Sequence, residues 1–163
     1  MYNRDMSIQN KTMHTHTAAE TRALAARIGA AMPAGAVIAA AGDLGVGKTV
    51  FAAGLAQGLG VAGPVVSPTY IFFQEYAGRL PFCHIDAYRL EGLSEEEISL
   101  TGVADCFRRG KAAFVEWPDF INDFLPAGTI RLRMARGQAD GDRLLTFCYD
   151  DEKQGWLHAI IGD

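Results

Sequence analysis

The chain has 163 residues, 49% hydrophobic and 21% charged, and 15 Lys and Arg against 19 Asp and Glu give a formal net charge of −4. Those figures describe a soluble globular chain, expected as a single domain with its own core, and they argue against a surface built as a nucleic-acid platform. Cys83, Cys106 and Cys148 show no C-x-x-C spacing, which excludes a recognisable disulfide framework or zinc site and fits reduced thiols in a cytoplasm. Met1 to Lys11 is polar, without a signal-peptide core, and about the first 12 residues are expected as a tail, frayed and then extended. No apolar run approaches the roughly 18 residues of a membrane span, so no membrane is expected among the partners.

Thr17 to Glu20 has the T-x-x-E form of a capping box and predicts a helix with Leu24 and Ile28 on one face, ended by Pro33-Ala34-Gly35. Ala36 to Ala41 reads as a short buried strand. Gly42 to Thr49 then fits G-x-x-x-x-G-K-[ST], the P-loop pattern, and Val50 to Leu59 reads as the helix that follows. Strand, loop and helix in that order are the arrangement the motif requires. Backbone N–H groups cradle a polyphosphate only where the chain turns sharply and comes close, which Gly42, Gly45 and Gly47 permit. Gly42, Asp43, Leu44, Gly45, Val46, Gly47, Lys48, Thr49 and Val50 are therefore the candidate nucleotide-binding residues. In this pattern Lys48 reaches the β- and γ-phosphates and the Thr49 hydroxyl ligates Mg²⁺.

Val65 to Thr69 reads as a loop stiffened by Pro68. Thr69 is either a plain turn residue or a hydroxyl that senses the γ-phosphate and its metal. Tyr70 to Tyr76 reads as a strand and Leu80 to Asp86 as its hairpin partner. Asp86 closes an apolar strand, the place of a Walker B carboxylate, with an N-cap or turn role as the rival reading. His84 reads as a packed, hydrogen-bonded core histidine. Ser94 to Glu97 is a second capping box, opening a helical stretch expected to run to about Arg109. Ala112 to Val115 reads as a central strand with Glu116 at its C-terminal end, where open α/β sheets bind ligands. Trp117 is either a core aromatic or a partner anchor. Phe120 to Leu125 is a short helix or turn. Thr129 to Met134 and Arg143 to Tyr149 form an antiparallel hairpin, and Gly155 to Ile161 closes the chain as a short helix.

Four segments occur together: Gly42 to Thr49, Val66-Ser67-Pro68-Thr69, His84 to Leu90 and Val115 to Pro118. In order and spacing the set resembles TsaE, the family of small bacterial P-loop ATPases of tRNA threonylcarbamoyladenosine biosynthesis. The resemblance covers the chain from about Thr17 to the last hairpin. It implies an α/β P-loop NTPase fold, with a central parallel sheet extended by antiparallel strands and helices on both faces. It implies a weak Mg²⁺-dependent ATPase that works with the transferase TsaD and its paralogue TsaB, which place threonylcarbamoyl on adenosine 37 of tRNAs reading ANN codons. Its role there is nucleotide-driven resetting of the complex, with tRNA met indirectly.

Carried over by position, Lys48 contacts phosphates, Thr49 ligates Mg²⁺ and Glu116 is the metal-linked carboxylate. Asp86 is the aspartate needed for hydrolysis and a second candidate for the metal. Thr69 becomes the switch-like threonine and Trp117 a partner-contact position. Gly141-Asp142-Arg143 stands where the family has a Gly-Arg turn, so a nucleotide contact by Arg143 is the weakest of these assignments. Two other readings stay open: a small-molecule kinase, whose lid would have to be Arg108 to Lys111, and a partner-binding module that uses nucleotide only as a structural ligand. The absence of an N-K-x-D base-reading motif favours ATP over GTP.

Overall fold

The apolar run before the glycine-rich loop becomes β2 (Val37–Ala41), the middle strand of a seven-stranded sheet. This is a computed structural model, and it describes residues 7–68, 70–108 and 110–162. The other strands are β1 (Ile8–Thr15), β3 (Phe73–Tyr76), β4 (Phe82–Asp86), β5 (Ala112–Glu116), β6 (Ile130–Arg136) and β7 (Arg143–Asp150), in the order β1-β7-β6-β2-β5-β4-β3. The four central strands, β6, β2, β5 and β4, run parallel. β7 and β1 extend one side antiparallel, and β3 extends the other. β4 and β5 are buried at every position, as strands covered on both faces must be.

Helices cover both faces, as the fold class requires. On one side α1 (Ala18–Ala31), α2 (Lys48–Gly58) and α4 (Gly155–Ile161) enclose a core built on Phe51, Phe82, Phe114 and Phe147. On the other, the short helix α3 (Glu95–Leu100) and three 3₁₀ turns cover Ile85, Leu90, Val103 and Val115.

Four local expectations are corrected. The first dozen residues are not all tail, because Ile8–Thr15 pairs along its length with β7, and Thr12 and Thr146 share a 2.9 Å hydroxyl bond across the pair. The strand predicted from Tyr70 begins only at Phe73. Ile71 N–H turns back to the Pro68 carbonyl, and Phe72 takes a positive φ of 64° that no strand accommodates. The helix from Ser94 stops at Leu100, because Gly102 adopts a left-handed φ of 81° and only a 3₁₀ turn, Val103–Phe107, follows. At α1 the box is displaced by one residue: Thr17 Oγ accepts from Glu20 N–H, but Glu20 Oε2 accepts from His16 N–H rather than from Thr17. The box at α3 is complete in both directions.

Helices α1 and α2 approach so closely that a Cβ on Gly58 would lie 2.1 Å from the Ala26 carbonyl oxygen, and one on Gly54 would lie 2.4 Å from that of Arg22. Gly→Ala inside a helix ordinarily stabilises by about 1 kcal/mol. Here Gly58→Ala is expected to destabilise by roughly 1–3 kcal/mol, because backbone rather than a flexible side chain must move. Urea unfolding measures it, and a stabilised variant would contradict this packing.

Candidate active site

The loop between β2 and α2 closes on glycine because the backbone leaves no alternative. Gly47 caps α2 with φ 112°, and a Cβ on Gly42 would stand 2.6 Å from the Met134 carbonyl oxygen. Two arginines from the β6–β7 hairpin brace the loop from outside. Arg136 Nη2 donates to the Gly45 carbonyl at 3.2 Å, and Arg143 Nε to that of Val46 at 2.6 Å. The Val46 N–H is taken by the Asp43 carbonyl at 3.1 Å, and the carbonyls engaged outward leave the loop's other N–H groups for an anion.

Lys48, the first residue of α2, is 5% exposed. Its Nζ donates to the carbonyls of Gly42 at 2.5 Å and Asp43 at 3.0 Å, and lies 4.4 Å from the centroid of the Trp117 ring. Burial pulls its pKa below the ordinary lysine value, against the raising effect of Glu116, Asp86 and Asp43.

The two carboxylates come from neighbouring parallel strands. Asp86 ends β4 and Glu116 ends β5, directly opposite each other in register, 5% and 4% exposed. The Thr49 hydroxyl donates to Glu116 Oε1 at 3.2 Å. His84 Nε2 reaches the same oxygen at 2.9 Å from a wholly buried ring. An ionised carboxylate only accepts, so Nε2 carries the proton of that bond. Among the described residues His84 Nδ1 has no hydrogen-bond partner. Asp86 Oδ1 accepts from Tyr88 N–H at 3.0 Å and Oδ2 from the Ser67 hydroxyl at 3.3 Å. The turn role and the site role of Asp86 are therefore compatible.

Apart from the wholly buried His84, these groups face one cavity of about 600 Å³ at the C-terminal edge of the parallel strands. Leu44, Gly45, Gly47, Lys48, Thr49, Val50, Asp86, Glu116 and Trp117 line it. Gly42 and Asp43 contribute by holding Lys48, and Val46 is buried. Thr69 lies outside the described residues. Arg143 lines a smaller neighbouring cavity, and its Nη1 is engaged by the carbonyls of Asp140 and Asp142. Trp117 is half-buried in a left-handed conformation, φ 56° and ψ 53°, with its ring 5.1 Å from that of Tyr88. It packs, partly buried, against the core on the α3 side of the sheet and forms a wall of the cavity beside Lys48.

Four contributors escaped sequence reasoning. Ser67 and Arg136 carry no local signal of their role, and Tyr88 enters the cavity only because Asp86 turns the chain. His84 is the packed, hydrogen-bonded histidine that the sequence predicts, and what went unread is its bond to Glu116, although residues two apart on a strand share a face and His84 therefore faces as Asp86 does.

Thr49, Asp86 and Glu116 offer hydroxyl and carboxylate oxygens, the hard donors that suit Mg²⁺. The charges agree, since two buried carboxylates against one ammonium leave the cavity short of positive charge for a polyphosphate.

The model of the family "Threonylcarbamoyl adenosine biosynthesis protein TsaE" matches residues 15–144. The tRNA threonylcarbamoyladenosine biosynthesis protein TsaE of Bacillus subtilis is 38% identical over 129 residues, 78% of each chain. The protein of that name from Treponema pallidum is 35% identical over 119 residues, 73% of this chain and 86% of its own. The crystal structure of YdiB from Bacillus subtilis matches with a TM-score of 0.73 at 30% identity, over 95% of each chain.

Proposed function

The chain belongs to the TsaE family, and from that premise we propose that it binds ATP with Mg²⁺ and hydrolyses it as the nucleotide-driven component of tRNA threonylcarbamoyladenosine biosynthesis. The carrying observation is the convergence of Lys48, Thr49, Asp86 and Glu116 on one cavity at the strand ends. ATP enters with its phosphates against the loop N–H groups. Lys48 exchanges the Gly42 and Asp43 carbonyls for phosphate oxygens, while the Trp117 ring keeps it in place. Mg²⁺ held by Thr49, with Asp86 and Glu116, would supply positive charge to the β- and γ-phosphate oxygens. Asp86, held by Tyr88 and Ser67, and Glu116, held by His84, accept hydrogen bonds from the attacking water and aim it at the γ-phosphorus. The bond from that phosphorus to the β–γ bridging oxygen breaks, giving ADP and phosphate.

Among the described residues no arginine lines the cavity. Stabilisation of the transferring phosphoryl group by a guanidinium is therefore weak in the isolated chain, so slow turnover is expected and a partner completes the site. The cavity mouth suits a protein contact, with Leu44 84% exposed and Val66, Tyr70 and Ile71 exposed on either side of Ser67. The partners we assign are TsaD and TsaB, in the cytoplasm, acting on adenosine 37 of tRNAs reading ANN codons. Among the described residues no helix is long and apolar enough to cross a membrane.

The kinase reading loses its lid. Lys111 pairs with Glu75 at 2.9 Å and precedes β5, five residues and so roughly 16 Å from Glu116. Arg109 lies outside the described residues, and Arg108 pairs with Asp105.

The test is phosphate release from ATP by the purified chain, alone and with TsaD and TsaB. Slow release alone that rises with the pair is expected, and release unchanged by the pair would overturn the partner assignment. His84 provides a finer check. His84→Phe fills the space without donating to Glu116, and it is expected to lower kcat by about 10–100-fold with ATP affinity little changed. His84→Gln, which retains an N–H, is expected to keep more of the turnover. Equal loss in both variants would deny the histidine its positioning role.

A further inference from the structure

We propose that His14, His16 and Asp142 form a surface site for a borderline divalent cation of the zinc class, at the sheet edge outside the nucleotide cavity. The site follows from register. β1 lies antiparallel to β7, with His14 opposite Leu144 and Thr15 opposite Arg143, so the next step sets His16 beside Asp142. His14 and His16 are two residues apart and turn to one face. One ligating atom from each of the three residues lies within 4.8 Å of the other two. His16 Nδ1 is 3.1 Å from Asp142 Oδ1 and His14 Nε2 is 3.7 Å from Oδ2. Donors each about 2.0–2.2 Å from a zinc ion stand near such separations, so small rotations suffice.

The scaffold around the three side chains is fixed. Asp142 Oδ2 accepts from Ala139 N–H at 3.2 Å, which orients the carboxylate. His16 N–H is held by Glu20 Oε2 at 2.7 Å. The turn itself packs on this backbone: a Cβ on Gly141 would stand 2.3 Å from the His16 carbonyl oxygen. Two imidazoles and one carboxylate select a borderline metal over Mg²⁺, and three protein ligands leave positions for water or a partner's side chain. Asp142 adjoins Arg143, which braces the phosphate loop through Val46, so occupancy would pin β1 to that brace.

The test is calorimetric titration of the tag-free, chelator-treated full chain with Zn²⁺ in excess Mg²⁺. One equivalent is expected to bind in the micromolar range. His14→Ala, His16→Ala and Asp142→Asn are each expected to weaken it by at least the roughly 10–100-fold that loss of an outer-shell partner costs. His158→Ala, which removes the separate pair with Asp151, is expected to change nothing. Co²⁺ bound to the wild type should show a visible absorption band that the three variants lose. Circular dichroism reports whether each variant is folded, and should Asp142→Asn unfold, the two variants of the exposed histidines decide. Binding no tighter than millimolar, or binding that survives the substitutions, would overturn the site.

Discussion

Glu116→Gln is expected to reduce ATP turnover by about 10²–10³-fold while leaving ATP affinity within roughly threefold. Gln has the shape of Glu, and its carbonyl oxygen still accepts from Thr49 and His84. The packing at the end of β5 therefore survives. What disappears is one of two buried negative charges and an acceptor for the attacking water. In the proposed mode ATP is held chiefly by the loop N–H groups and Lys48, and Thr49 and Asp86 are still offered to Mg²⁺, so kcat is expected to fall and affinity to hold. Glu116→Ala is a poorer probe, because it also leaves a wholly buried His84 Nε2 without its acceptor. Steady-state phosphate release together with calorimetric ATP binding measures both quantities. Undiminished turnover would remove Glu116 from the hydrolytic step, whereas ATP binding with no turnover in the wild type, alone or with the partners, would favour the reading in which nucleotide is only a structural ligand.

Lys48→Ala acts at the other end of the cavity and is expected to weaken ATP binding by about 10²-fold, a loss of roughly 3 kcal/mol, with turnover falling further. The ammonium is already partly desolvated, so its exchange of carbonyls for phosphate oxygens is worth more than a surface contact. Lys48→Arg is not expected to restore binding. A planar guanidinium is larger than the space bounded by the Gly42 and Asp43 carbonyls and the Trp117 ring. Calorimetry reads the affinity, and affinity within roughly threefold of wild type would remove Lys48 from phosphate binding.

The central architecture was legible because its signals are local. An apolar run, a glycine-rich loop with Lys48 and Thr49, and a helix specify one supersecondary unit. Asp86 and Glu116 each end an apolar strand, which places them at one sheet edge once those strands are parallel. Misreadings arose where backbone conformation overrides composition. Tyr70 to Phe72 is aromatic enough for a strand, yet Phe72 takes a left-handed φ after the Pro68 turn. The run after Leu100 looks helical, yet Gly102 stops it. The contact of His84 with Glu116 depends on register between strands 32 residues apart, which periodicity within one strand does not report. The same holds for Arg136, whose partner in the loop lies 91 residues away. Local sequence left Trp117 open between core and partner anchor, because the residue is half-buried in the cavity wall against Lys48 and Tyr88, and only the resemblance chose the anchor.

The most direct test of the central claim is reconstituted modification of a tRNA reading ANN codons by TsaD and TsaB. Threonylcarbamoyladenosine formed per transferase would be counted with this chain or with its Glu116→Gln variant. Modification that continues over many rounds with the wild type and stalls with Glu116→Gln is the expected result. If the variant sustains modification as the wild type does, ATP hydrolysis at Asp86 and Glu116 is not what the chain contributes.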